Sequence, residues 1–243
     1  MDGPLALVSL PCPALWVECG AEIPANDALV GPIRLAALCR ALDLPVPDPK
    51  PGLIATMPPG GGAGSSTAGL VALARAMGYC GSPDLLARIC AQVEGASDPL
   101  MFPNAERLLF APRQGHVLRH LPALPRFCVL GGFFGPVQRT DPADCGFPDI
   151  SDLIEQWQPD MSVAQMAGLV SNSARRTLAL RGPANDPTEG LAAGLGAMGW
   201  MIAHTGNARG LIFAPGSMPQ NAAQTLQAAG FQDVLQFSGG GGA

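Results

Sequence analysis

Apolar and polar positions alternate between two periods along this chain, and the switch between them predicts most of the elements. Leu5-Ala6-Leu7-Val8-Ser9-Leu10 follows the turn Met1-Asp2-Gly3-Pro4 and reads as a strand, as does Ala14 to Cys19. Ile33, Leu35, Ala36, Leu38, Cys39 and Leu42 recur at helical spacing behind Pro32, so a helix is predicted over 32–42. After the prolines 45, 47, 49 and 51, Gly52 to Met57 reads as a short buried strand. Leu70, Val71, Leu73, Ala74 and Met77 form the next helix, and Ser82-Pro83-Asp84 starts another that runs through Val93 and ends near Glu94.

The pattern continues with short strands at Arg107–Phe110 and His116–His120 and a buried one at Arg126–Gly135. Polar turns from Thr140 to Asp149 mark a division. Beyond them the spacing predicts a helix from Asp160 or Met161 to about Leu180, carrying the paired Arg175 and Arg176 on a solvated face, and a small-residue helix from Thr188 to Gly196. A hairpin follows, with strands Gly199–His204 and Ala208–Ala214 and the turn Thr205-Gly206-Asn207, then a helix Met218–Ala229 and a strand Phe231–Phe237. The order describes an α+β protein of two domains, 1–140 and 141–237, with a loose tail at 238–243.

Between the strand at 52–57 and its following helix lies Pro58-Pro59-Gly60-Gly61-Gly62-Ala63-Gly64-Ser65-Ser66-Thr67. Glycines let a ligand approach the main chain and allow positive-φ turns that converge amide groups, and the first helical turn carries unpaired N–H groups and a partial positive charge. The stretch is predicted to hold phosphate. A glycine loop with an ordinary helix cap would read the same way locally. No Lys follows Gly64 as a Walker loop requires, and the glycine spacing differs from the dinucleotide fingerprint. Glu94 and Asp98 are the second candidate feature: two carboxylates at a helix end could serve as a Mg²⁺ ligand and a hydroxyl-proton acceptor, or form a solvated terminus.

Composition narrows the classes. Of 243 residues, 48% are hydrophobic and 14% charged, which fits a packed domain and excludes a disordered chain. A net charge of −5 with only 14 Lys plus Arg gives no basic footprint for nucleic acid. The seven cysteines, without a C-x-x-C pair, read as reduced thiols of a cytoplasmic protein, and no apolar run is long enough to span a membrane.

Pro58-x-Gly60-x-Gly62-x-Gly64-Ser65-Ser66-Thr67-Ala68 resembles the second motif of the GHMP kinases, and Ala203-His204-Thr205-Gly206-Asn207-Ala208-Arg209-Gly210-Leu211 resembles the C-terminal motif of the propanediol-utilisation-type L-threonine kinases. Glu94 and Asp98 resemble that branch's Glu-Pro-x-Asp, with Gly95 in place of proline. The resemblance implies a GHMP kinase fold, with an N-terminal domain like ribosomal protein S5 domain 2 and a C-terminal α+β sandwich. It implies MgATP over Pro58, Gly60, Gly61, Gly62, Ala63, Gly64, Ser65, Ser66 and Thr67, with Ser66 and Glu94 at Mg²⁺, Ser66 also counted with the catalytic groups, and Asp98 orienting or deprotonating the acceptor. His204, Thr205 and Gly206 would support the cleft from the second domain. The implied acceptor is a small hydroxyl compound such as L-threonine, on a cobalamin side-chain route, and a homodimer is compatible with the resemblance. The branch's first motif, a Gly-Glu-x-x-Gln-Gly segment, has no counterpart, and Met1 to Ser9 resembles what comes directly after it. The expectation is a start codon assigned too late, with a trimmed chain and a naturally short variant as the alternatives. Two other readings stand beside the kinase: a catalytically idle nucleotide-binding relative, and a serine acyl hydrolase using Ser66 and His204.

Overall fold

The computed structural model describes residues 4–138 and 140–241. Its contacts fall into two compact units, one of residues 4–120 with 137–144 and one of residues 121–136 with 145–241. The opening turn at Met1 to Gly3 lies outside the described residues.

In the first unit, strand β1 (Val17–Gly20), helix α1 (Pro32–Leu42) and strand β2 (Gly52–Ala55) come first. The strands pair antiparallel, Val17 opposite Ala55 and Gly20 opposite Gly52. A Cβ on Gly52 would lie 1.7 Å from the Ile23 carbonyl oxygen, so only glycine lets this strand pass. Helix α2 (Ser65–Ala76) follows the glycine loop, and helix α3 (Pro83–Glu94) is started by Ser82, whose side chain accepts from the Leu85 amide. Strands β3 (Leu108–Ala111) and β4 (His116–His120) form a hairpin with a register shift between Leu109 and Phe110.

The helices are held by one apolar cluster in which Leu38, Cys39, Leu70, Leu73, Cys90 and Phe110 are fully buried. Each buried Leu or Phe contributes about 1.5–3 kcal/mol by leaving water. This cluster fixes the N-terminus of α2 against the C-terminus of α3, and the candidate site sits on those two ends.

The expected strand at Leu5–Leu10 is not a strand. It makes a single bridge, Leu7 with Phe110, through two 2.9 Å backbone hydrogen bonds. Alternating apolar residues supply faces for a strand, but a ladder also needs a partner with matching free groups, and Pro4, Pro11 and Pro13 flank the run without amide hydrogens.

The second unit is built on a four-stranded antiparallel sheet. Its elements are β5 (Phe127–Phe133), α4 (Ser151–Glu155), α5 (Val163–Arg181), α6 (Thr188–Gly194), β6 (Gly199–Ile202), β7 (Ala208–Phe213), α7 (Ala222–Ala228) and β8 (Gln232–Gly239), and the sheet order is β6-β7-β5-β8. Strand β5, which the sequence order groups with the first half, is thus central to this sheet. Strand β8 continues through Ser238 and Gly239, where the pattern predicted a loose tail. Helix α5 begins with a capping box between Ser162 and Gln165 and packs on β6. There Ser171 donates to the Ala167 carbonyl at 2.7 Å and accepts from the Trp200 amide at 3.0 Å. Trp200, Leu211, Phe213 and Leu226 form the core. Among the described residues no helix is long and apolar enough to cross a membrane, and the seven cysteines are free thiols, two of them, Cys80 and Cys145, exposed.

Candidate functional site

The loop from Pro58 to Gly64 turns through three left-handed glycines, Gly60 at φ 81°, Gly62 at φ 81° and Gly64 at φ 73°. The Gly61 amide closes a turn on the Pro58 carbonyl at 3.0 Å, and the Gly60 carbonyl accepts from the Gln138 amide at 2.9 Å. Gly64 is the N-cap of α2 and offers no side chain to cap it. The first intrahelical bond runs from the Ala68 amide to the Gly64 carbonyl at 2.9 Å. Among the described residues, the amides of Gly62, Ala63, Gly64, Ser65, Ser66 and Thr67 donate to none. Successive unpartnered amides on a glycine loop, ending at a helix N-terminus, can receive an anion.

The three hydroxyl residues that follow differ in their surroundings. Ser65 and Thr67 are buried, and Thr67 Oγ1 accepts the Asp98 amide at 3.2 Å. Ser66 lies between them on the half-exposed side of the turn. Its Oγ accepts from Arg34 Nη1 at 2.6 Å and donates to Glu94 Oε1. Arg34 Nη1 also reaches Glu94 Oε1 at 2.9 Å, which closes a triangle, while Nη2 is anchored on the Leu29 carbonyl at 2.6 Å.

Glu94 brings its carboxylate from the last turn of α3, with only 9% of the side chain exposed. Burial raises its pKa; the Ser66 hydrogen bond and the Arg34 charge oppose that, and Asp98 reinforces it. Gly95 ends the helix in the left-handed region at φ 80°, and the chain returns through Ser97 to Asp98. Asp98 keeps part of its surface open to solvent, but protein atoms surround it on most sides. That desolvation pushes it up to about 6. Its Oδ2 lies close to the loop: a Cβ on Gly64 would come within 3.3 Å of it.

Ser66 and Glu94, the expected metal-side pair, are therefore together, with Asp98 in the same turn region as Gly64. Their hydroxyl and carboxylate oxygens fit Mg²⁺, which takes oxygen ligands and keeps several waters. Among the described residues no group of three His, Cys, Asp or Glu side chains forms a metal cage. The residue that sequence reasoning missed is Arg34. The signal available was a basic side chain in the first turn of α1, where the helix dipole disfavours a cation unless a carboxylate balances it.

In the second unit, His204 lies in the turn after β6 rather than in the strand predicted to reach it. Its ring stacks on Phe147 at 4.0 Å and 9°, and the Arg181 guanidinium lies 4.1 Å from the centre of the Phe147 ring. Thr205 and Gly206 continue the turn, and Asn207 holds it by donating to the Gly135 carbonyl at 2.5 Å. Arg209, also unforeseen, pairs with Asp186 at 2.8 Å, with side chains 6% and 1% exposed, and donates to the Gly206 and Ala208 carbonyls. Desolvation would raise Asp186, but the Thr188 hydrogen bonds and Arg209 hold it below the usual value. Arg175, exposed, pairs with Glu189, and Arg176, half-buried, pairs with Asp152.

The glycine loop, the N-terminus of α2 and the Ser66–Glu94 pair thus lie together in the first unit. Residues 35–102, which carry the loop and both carboxylates, match the family described as GHMP kinases N terminal domain. The fold as a whole is the α+β fold of GHMP kinases. The L. major mevalonate kinase, solved in complex with R-mevalonate, superposes with a TM-score of 0.63 at 12% identity, over 94% of this chain and 86% of that one. The Methanococcus jannaschii mevalonate kinase gives 0.52 at 11%, covering 92% and 86%. A 4-(cytidine 5'-diphospho)-2C-methyl-D-erythritol kinase gives 0.52 at 19%, covering 94% and 86%. No curated protein matches the chain by sequence.

Proposed function

We propose that this protein is an ATP-dependent small-molecule kinase of the GHMP type that phosphorylates a hydroxyl group, with L-threonine or a similar hydroxy amino acid as acceptor. The observation that carries the reading is the run of unpartnered amides from Gly62 to Thr67 at the N-terminus of α2, directly beside Ser66 and Glu94. Pro58 to Thr67 would hold the phosphates of ATP. Ser66 and Glu94 would hold Mg²⁺, which supplies charge neutralisation when bound. Phosphoryl transfer asks mainly for position and compensating charge, and both are built into this rigid pair of helix ends.

Asp98 is assigned to the acceptor. A carboxylate raised to about 6 is mostly ionised at neutral pH yet basic enough to accept a hydroxyl proton. His204, Thr205 and Gly206 form a turn of the second unit in which His204 is held by Phe147. L-threonine rests on the likeness of Ala203 to Leu211 and of Glu94 with Asp98 to the threonine-kinase motifs. The hydrolase alternative has less support, because the Ser66 hydroxyl is engaged by Arg34 and Glu94 rather than by an imidazole.

The test is ADP release coupled to a panel of hydroxyl substrates. Turnover with L-threonine, lost in Asp98→Asn, is the expected result. Turnover only with homoserine, mevalonate or a sugar would overturn the acceptor and leave the kinase. ATP binding without turnover on any acceptor would favour the idle relative.

A further inference from the structure

The loop lacks the lysine that a Walker sequence would supply, yet four anionic phosphate oxygens or more need compensation beyond amide dipoles. Within the first unit, a cationic side chain bonded to the cradle is Arg34, brought in by α1 from 32 residues before Ser66. Its position is unfavourable unless it has a purpose or a partner: it stands in the first turn of its own helix and beside the N-terminus of α2, so two positive helix ends meet a cation. The partner is Glu94, held at 2.9 Å, and the Arg34 side chain remains 27% exposed.

The count of donors matters. Nη1 serves Ser66 and Glu94, and one hydrogen of Nη2 serves Leu29. Of the five N–H groups of a guanidinium, two remain. The anchor on Leu29 fixes the side chain's plane, so these donors are presented at a set angle and not on a free tether.

We propose that Arg34 is the cation of the phosphate site. It is a positioning residue that holds Ser66 and Glu94 in place before binding, and it contacts a phosphate oxygen of the polyphosphate once that is seated. The inference rests on the nucleotide reading above for ATP as its ligand, but not for the phosphate chemistry itself. Arg34 thus supplies from a separate helix, in space, the charge that other phosphate loops carry in sequence.

The test is calorimetric binding of ATP, and of inorganic tripolyphosphate, in EDTA and again with Mg²⁺. The proteins are the wild type, Arg34→Lys, Arg34→Met and the double variant Arg34→Met/Glu94→Gln. The double variant removes the unpaired carboxylate that Arg34→Met alone leaves buried, and its folding is checked by circular dichroism. The expected result is metal-free affinity weakened by about tenfold or more in both methionine variants and partly kept in Arg34→Lys, because a charge-assisted bond to phosphate is lost or made single. Wild-type metal-free affinity in the double variant would overturn the role of Arg34 and leave the nucleotide reading standing. If the wild type binds tripolyphosphate but not ATP, and the methionine variants bind neither, Arg34 is upheld and the nucleotide reading fails. Binding of neither ligand by the wild type, with or without Mg²⁺, would overturn both.

Discussion

The backbone amide of Asp98 donates to Oγ1 of Thr67 at 3.2 Å, tying the turn that carries the second carboxylate to the first turn of α2. The loop and the proposed acceptor base therefore share one rigid joint. Thr67→Val keeps the shape and deletes the acceptor. It is expected to cost about 1 kcal/mol of stability in urea titration and to lower kcat by more than KM changes, since Asp98 moves while the phosphate cradle does not.

Gly64 tests the loop's backbone. At φ 73°, with Leu100 Cδ1 3.1 Å and Asp98 Oδ2 3.3 Å from a new Cβ, Gly64→Ala is strained by about 1–2 kcal/mol and presses on the base. ATP affinity by calorimetry should fall. Gly168→Ala in α5 and Gly190→Ala in α6 meet nothing within 4 Å and should each stabilise by up to about 1 kcal/mol. Equal effects at Gly64 and Gly168 would contradict the strained turn.

These positions show how much was readable in the chain. Pro32 and Leu42 bound α1 as the spacing predicts, and Ser82-Pro83 starts α3, because caps and prolines act locally. The glycine loop and Glu94 were legible for the same reason. Arg34 was not: on one strand of sequence, a basic residue on an amphipathic helix looks like any solvated side chain, and its meaning comes from Glu94, 60 positions away. Likewise β5 carries a buried pattern that says nothing about which sheet receives it. Its partners, β7 and β8, lie much later in the chain. Helix α4, at five residues, is too short to show a period.

Asp98 gives a pH dependence with a definite sign. Its folded value of about 6 lies above the ordinary 3.8, so between these values the folded protein binds more protons than the unfolded one. Stability from this group is complete below about 3.8 and falls as pH rises through 6. Glu94, also raised by burial, has the same sign. In Tm measurements from pH 4 to 8, Asp98→Asn should gain on the wild type with rising pH, while kcat/KM of the wild type should fall below about pH 6. A constant difference between the two proteins across that range would contradict the raised carboxylate.

The Arg209–Asp186 pair predicts an asymmetry between single and double variants. Arg209→Met leaves Asp186 buried and unpaired and should cost about 3–5 kcal/mol in denaturant unfolding of the second unit. Arg209→Met/Asp186→Asn should recover part of that loss. No coupling between the two changes would show that the pair does not hold the turn at His204 to Asn207.

Ser66 and Glu94 are joined at the N-terminus of α2, and calorimetric titration of MgATP addresses them directly. Saturable one-to-one binding, weakened by about tenfold or more in both Ser66→Ala and Glu94→Gln while the variants keep their secondary structure, is the predicted result. Absence of binding to the wild type, or binding unchanged in both variants, would contradict it.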